Sequence, residues 1–200
     1  PGFLVNRCLA PYMNEAALLM VEGCDPKQLD KVMLDFGLPM GPARLLDEVG
    51  FDVASKVSEV MAAAFPNRMQ PCKLFQAMVD AGHLGRKTGG GILSEGGTKV
   101  LANLRSKARN DITRSEIFER LIYPMVDEAY RCLAEGLVAS EEDLDLGMVM
   151  GMGFPPFTGG ITRYATSEGH ARIASRLQAL AISHGSRFAP SQHLLDLANR

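Results

Sequence analysis

Residues Pro1 to Gly23 read PGFLVNRCLAPYMNEAALLMVEG, and a worn copy of that stretch returns at Ile117 to Gly136 as IFERLIYPMVDEAYRCLAEG. At one offset of 113 residues, Arg7 falls on Arg120, Pro11 on Pro124, Glu15 on Glu128, Ala16 on Ala129, Glu22 on Glu135 and Gly23 on Gly136. Six identities at a single offset mark a tandem duplication. Farther on, Leu29-Asp30 meets Leu144-Asp145, Met33 meets Met148, Gly37-Leu38-Pro39 meets Gly153-Phe154-Pro155, and Gly50 meets Gly169. A solenoid unit runs roughly 20 to 50 residues, far short of this period. Each copy is therefore expected to be a small helical subdomain: 1–94 the first repeat, 95–112 a linker, 113–200 the second repeat.

Within the first copy, Leu9, Met13, Ala16, Ala17 and Met20 recur at steps of three and four, which predicts a helix over Leu4 to Glu22, bent at Pro11 and closed by Gly23. Asp25-Pro26 opens a second helix with Leu29, Val32, Met33 and Phe36 inward. Short helices are expected at Ala43 to Val49, from Asp52 as cap to about Phe65, from Pro71 or Cys72 to Gly82, and near Val100 to Ala108. Thr113 with Glu116 forms a capping box for the long helix of the second copy, and Ser140 with Asp143 starts the next. Helices over Ser167 to Ser183 and Pro190 to Ala198 complete the chain. Alternating β-branched runs are missing, so neither a sheet nor a nucleotide-binding βαβ unit is expected.

Composition narrows the function classes. A net charge of −2 with no long basic tract argues against general binding to nucleic acid. Apolar runs stay far short of the roughly 20 residues of a membrane span, and no signal peptide is apparent. Cys8, Cys24, Cys72 and Cys132 are widely spaced, with no C-x-x-C and no histidine at ligand spacing, so free buried thiols in a reducing compartment are expected and no metal site. The chain begins at Pro1, which points to a piece of a longer polypeptide.

The segment from Gly82 to Gly91 invites a phosphate-binding reading, yet Lys87-Thr88 lacks the glycine spacing of a P-loop and Ser94 stands where a third dinucleotide-loop glycine would be. A structural turn is the better reading. Arg105, Lys107 and Arg109 read as a solvated basic face, and the loop Gly151 to Gly160, with Phe154 and Phe157, as one held by packing. His83, His170, His184 and His193 stand apart from any nucleophile or carboxylate at motif spacing. Glu15, Glu22, Glu128 and Glu135 recur in both copies, which favours structural pairing with Arg7 and Arg120 across two helix turns or between repeats.

Taken together, PGFLVNR, PYMNEA, GLPMGPARLLDEVGFD, GRKTGGG and GMGFPPFTGG resemble the C-terminal region of 3-hydroxyacyl-CoA dehydrogenases over essentially the whole chain. Two tandem copies are more similar to the long multifunctional fatty acid oxidation enzymes, in which an enoyl-CoA hydratase domain precedes the dehydrogenase. The resemblance implies an all-α fold of the kind of 6-phosphogluconate dehydrogenase C-terminal domains, with two repeats about a pseudo-two-fold axis. It also implies an acyl-CoA substrate in a cleft against an N-terminal Rossmann domain, which would bind NAD and carry the catalytic histidine, glutamate and serine. Asn6 is the one active-site residue it places on this chain; Glu119 stands at the same point of the second copy. An amide offers donor and acceptor at once and can hold a thioester or hydroxyl oxygen. The alternative is that Asn6 caps or buttresses the first helix.

The resemblance further implies a fragment inactive alone and holding no cofactor itself. It should be monomeric, because the second copy replaces a partner subunit, and it should reside in a bacterial cytoplasm or an organelle of β-oxidation. The aromatic pair that follows the family's glycine run is replaced by Ile92-Leu93, and Asp47 of the first copy meets Thr166 in the second. A non-catalytic helical module for dimer-mimicking assembly or domain docking is the competing class, and the helical domain of a dehydrogenase for another hydroxy acid a third.

Overall fold

A computed structural model describes residues 1–105 and 108–200, and every regular element among them is helical. The α-helices are α1 (Leu4–Glu22), α2 (Pro26–Phe36), α3 (Pro42–Val49), α4 (Phe51–Ala64), α5 (Lys73–Asp80), α6 (Glu95–Leu104), α7 (Arg114–Ala134), α8 (Glu141–Met152), α9 (Ile161–Glu168), α10 (His170–His184) and α11 (Gln192–Ala198). Extended pairing among the described residues is confined to a Gly85–Gly90 bridge. The all-α expectation is met.

Two compact units emerge, one of Pro1–Tyr12 with Glu119–Arg200 and one of Met13–Phe118, so both boundaries fall inside the long helices α1 and α7. In the Met13–Phe118 unit, helices α2 to α6 pack in chain order. Its core gathers Met20, Leu46, Phe51, Leu74, Phe75, Met78 and Ile92, with the Phe51 and Phe75 rings 6.5 Å apart. In the other unit α8 packs on α9, α9 on α10 and α10 on α11, with Leu144, Phe154, Ile161, Leu177 and Leu194 buried.

Each unit uses the same polar fastenings at matching points of the duplication. Asp30 accepts from the Ala43 and Arg44 N–H groups at 2.7 and 3.1 Å and so caps α3; Asp145 accepts from the Thr162 N–H and hydroxyl, both at 2.7 Å, and caps α9. Asn14, buried in α1, accepts from the Cys72 N–H at 2.8 Å, and Asp127, buried in α7, accepts from the Ser191 N–H at 2.8 Å. Burial pushes the Asp30 and Asp127 carboxyls above their ordinary range in spite of these bonds, which favour the charged form.

Several elements differ from expectation for local reasons. Gly50, not Asp52, stands at the cap of α4, and Asp52 lies in its first turn. α6 begins at Glu95, because the Ser94 hydroxyl accepts from the Gly97 N–H at 3.1 Å; Gly96 and Gly97 are not breakers but points where the His83 ring and the Gly91 carbonyl press close. The segment expected as one helix from Ser167 is divided at Gly169, whose φ of 93° ends α9 before α10 starts. Arg105 and Arg109 are not a solvated face: Arg105 donates to the Met20 and Cys24 carbonyls at 2.9 and 2.8 Å, and Arg109 grips Glu116 at 2.7 and 3.0 Å. Lys107 lies outside the described residues.

All four cysteines are free and buried. No helix is long and apolar enough to cross a membrane among the described residues.

Candidate functional site around Asn6

The opening Pro1-Gly2-Phe3 decides where α1 starts. Gly2 has φ of 82°, outside helical geometry, so the first helical bond runs from the Arg7 N–H to the Phe3 carbonyl at 3.0 Å. Leu4, Val5 and Asn6 therefore form the first turn, and their N–H groups find no acceptor among the described residues. Asn6 is exposed, and its carboxamide makes no hydrogen bond to any described residue. The capping alternative fails on this geometry: Asn6 is the third helical residue, beyond the capping position, and its side chain satisfies no backbone group.

What fixes that turn is the neighbouring Arg7, which is buried. Its Nε and Nη2 donate to Glu128 Oε1 at 3.0 and 2.5 Å, and its Nη1 donates to Glu135 at 2.5 Å. The expected arginine–glutamate pairing thus runs between the repeats. Burial by itself would depress the guanidinium, but Glu135 and Glu128 outweigh it and hold Arg7 above its ordinary value. On the other side, Leu4 and Val5 rest on α8 over Gly147 and Gly151.

At the corresponding point of the second copy the arrangement is closed. Glu119 is buried, and its Oε2 accepts from Arg176 Nε and Nη2 at 3.0 and 2.6 Å. A carboxylate already committed to a guanidinium has no free donor to offer a ligand, whereas the Asn6 amide has both donor and acceptor open.

The remaining sequence candidates take structural roles. Arg86 pairs with Glu48 at 3.1 Å and Lys87 with Asp52, so both cations of the glycine-rich turn are neutralised. Asp47 clamps the same turn by accepting from the Ile92 and Leu93 N–H groups at 2.7 and 3.3 Å. Its counterpart Thr166 only donates to the Thr162 carbonyl one turn back in α9, at 3.0 Å. Phe154 is fully buried, as packing of the Gly151–Gly160 loop requires, whereas Phe157 is 77% exposed.

His170 is not isolated: its Nε2 lies 2.7 Å from the Tyr130 hydroxyl, and the His193 ring is 5.6 Å from the Tyr130 ring. Burial holds His170 below the ordinary histidine range, and burial likewise raises the Tyr130 phenol. Sequence spacing could not reveal this cluster, since its members come from α7, α10 and α11. Two further hollows, of about 410 Å³ beside Glu141, Asp145 and Arg163 and about 450 Å³ beside Phe36 and Phe118, do not include Asn6. Among the described residues no three His, Cys, Asp or Glu side chains are placed to hold a metal.

Comparison with known proteins bears on the family and the fold. Residues 2–95 match the family model described as 3-hydroxyacyl-CoA dehydrogenase, C-terminal domain. The chain is 39% identical over 204 residues to the fatty acid oxidation complex subunit alpha of Vibrio cholerae serotype O1, and 39% identical over 204 residues to that of Idiomarina loihiensis. These alignments take in 98% of this chain but only 29% of each relative, so the chain spans less than a third of the length of the proteins it resembles. Among solved structures, 3-hydroxybutyryl-CoA dehydrogenase from Escherichia coli K12 has the same fold, with a TM-score of 0.82 at 23% identity over 100% of this chain and 60% of that one. The dehydrogenase part of multifunctional enzyme 1 from C. elegans gives 0.74 at 27% identity, over 97% of this chain and 47% of that one. Residues 2–95 thus carry the likeness to 3-hydroxyacyl-CoA dehydrogenase C-terminal domains, and the chain as a whole carries the likeness to fatty acid oxidation complex alpha subunits.

Proposed function

We propose that this chain is the substrate-side part of an NAD-dependent enzyme interconverting 3-hydroxyacyl-CoA and 3-ketoacyl-CoA in fatty acid oxidation. One observation carries the reading: the exposed carboxamide of Asn6 is left without an internal partner on a helix turn that Arg7 locks in place. In this reading the Asn6 Nδ2 donates to the C3 oxygen, or to the thioester oxygen beside it, as negative charge grows there. The unpaired N–H groups of the same turn add positive potential in the same direction. NAD supplies the hydride acceptor; it is held by a nucleotide-binding domain, for which the described residues offer no strand. The catalytic base belongs to that domain as well, so the chain alone is proposed to be inactive.

The duplication, read as sequence repeats 1–94 and 113–200 joined by 95–112, gives the second copy a supporting role in this scheme. One contrast favours docking of further domains as an additional role. Leu146 and Met150 on α8 are 62% and 78% exposed, where the matching positions of α2 carry Lys31 and Asp35, an ion pair at 3.3 Å. The compartment would be the one where fatty acid oxidation runs, a bacterial cytoplasm or the corresponding organelle.

The test is NADH-dependent reduction of a 3-ketoacyl-CoA by the full-length enzyme with Asn6 intact and with Asn6→Ala. A fall in kcat/KM of about a hundredfold or more with an unchanged melt is expected, the scale of one lost transition-state donor. Unchanged turnover would leave the docking role as the function.

A further inference from the structure

The geometry points to Gly151, in the second copy, as a positioning residue for Asn6 in the first. This inference rests on the function proposed above. Gly147 and Gly151 lie one turn apart inside α8, and neither has a positive φ, so neither is there for its backbone freedom. Glycine inside a helix is less favourable than alanine. Their use is explained by what lies above them.

A Cβ at Gly147 would fall 2.7 Å from Leu4 Cδ2, and one at Gly151 would press still closer on Val5 Cγ2, inside the distance real Cβ atoms keep. The two contacts differ in kind. Leu4 Cδ2 is the far end of a flexible side chain and can swing aside. A helical valine is held close to one χ1 rotamer, so pressure on its methyl passes to the backbone. The next residue along that backbone is Asn6.

The duplicate supplies a control. Three residues after Met33, α2 carries Phe36, whose ring lies 5.0 Å edge-on from Phe118, the counterpart of Val5. Three residues after Met148, α8 carries Gly151 against Val5. A bulky pair has been replaced by a small one only beside the turn that presents Asn6. The second copy thus sets the placement of the first copy's amide and is more than a scaffold.

The experiment uses the full-length enzyme and compares Gly151→Ala, Gly147→Ala, Val5→Ala with Gly151→Ala, Asn6→Ala, and Asn6→Ala with Gly151→Ala. Gly151→Ala is expected to lower kcat by about ten- to a hundredfold, the range of an ångström-scale misplacement, with KM little changed. Gly147→Ala should stay near wild type. Removing the opposing methyl in the Val5→Ala double variant should restore most of the loss, and it carries the comparison should Gly151→Ala alone fail to fold. In the Asn6→Ala background Gly151→Ala should cost nothing more.

A folded Gly151→Ala enzyme with wild-type turnover, or one whose loss persists undiminished without Asn6, overturns the inference. If Asn6→Ala itself turns over like wild type, the functional reading falls and takes the inference with it. A hundredfold loss in Asn6→Ala beside a silent Gly151→Ala overturns the inference alone.

Discussion

Asn6 and Glu119 stand at the same point of a duplicated helix and have been put to opposite uses. Asn6 is exposed, in the first turn of α1, with an idle amide; Glu119 is buried, in the second turn of α7, with Nε and Nη2 of Arg176 on one oxygen. The helix that carries Asn6 starts late because Gly2 turns the chain out of helical geometry. The helix that carries Glu119 starts a turn earlier, where the Thr113 hydroxyl accepts from the Glu116 N–H at 3.1 Å. At this point the two stretches keep the helix and differ in whether the side chain is bound internally. The copy without an internal job for its side chain is the one with a surface to offer.

That contrast can be broken from the side of stability. Arg7→Met should do most damage, because buried Glu128 would lose the guanidinium that donates to it at 2.5 Å; about 3–5 kcal/mol is expected in a denaturant melt. Glu119→Ala should cost less, about 1–3 kcal/mol, since Arg176 is half exposed and keeps access to water. Equal losses from the two would mean that the Glu119 pair is no more exposed to solvent than the Arg7 pair.

Acid should act on the copy that carries His170. Its pKa lies below the ordinary value of 6.5 in the folded state, so the unfolded chain takes up the proton first as pH falls. Stability from this group is complete above about pH 6.5 and declines below it, down to the lowered folded value. His170 sits between Tyr130 and the start of α10, with His193 opposing its charge and Glu141 favouring it. His170→Gln should flatten the pH dependence of the melt below 6.5, and a slope unchanged by that substitution would place the acid sensitivity elsewhere. The smallest effect belongs to Asn6→Ala, whose melt should shift by no more than about 0.5 kcal/mol, because the side chain is exposed and makes no hydrogen bond to a described residue.

Most of the helices were legible because apolar spacing, glycine stops and hydroxyl caps act within a few residues. Asp25, Thr113 and Ser140 cap as their sequence context indicates. Some boundaries were not legible: 95–112 reads as a linker with a helix only near Val100, whereas Ser94 caps α6 from Glu95, and the stop at Gly169 is hidden inside a helical composition. The duplication itself marked Asp30 and Asp145 as special, but their capping of α3 and α9 needs the fold. Asn6 was found by resemblance and by its mismatch with Glu119. The proposed support from Gly151 was not, since 144 residues separate the two in sequence and only packing brings Val5 against Gly151.

The most direct test of the account is the turnover of the full-length enzyme with Asn6→Asp, read as kcat/KM for 3-ketoacyl-CoA reduction. Aspartate keeps the size, but puts a second acceptor oxygen and a negative charge where the amide has its N–H donor at neutral pH. If Asn6 works by donating to the reacting oxygen, Asn6→Asp falls at least as far as Asn6→Ala, about a hundredfold or more. Retention of wild-type turnover by Asn6→Asp would contradict that, leaving Asn6 a matter of shape and not of chemistry.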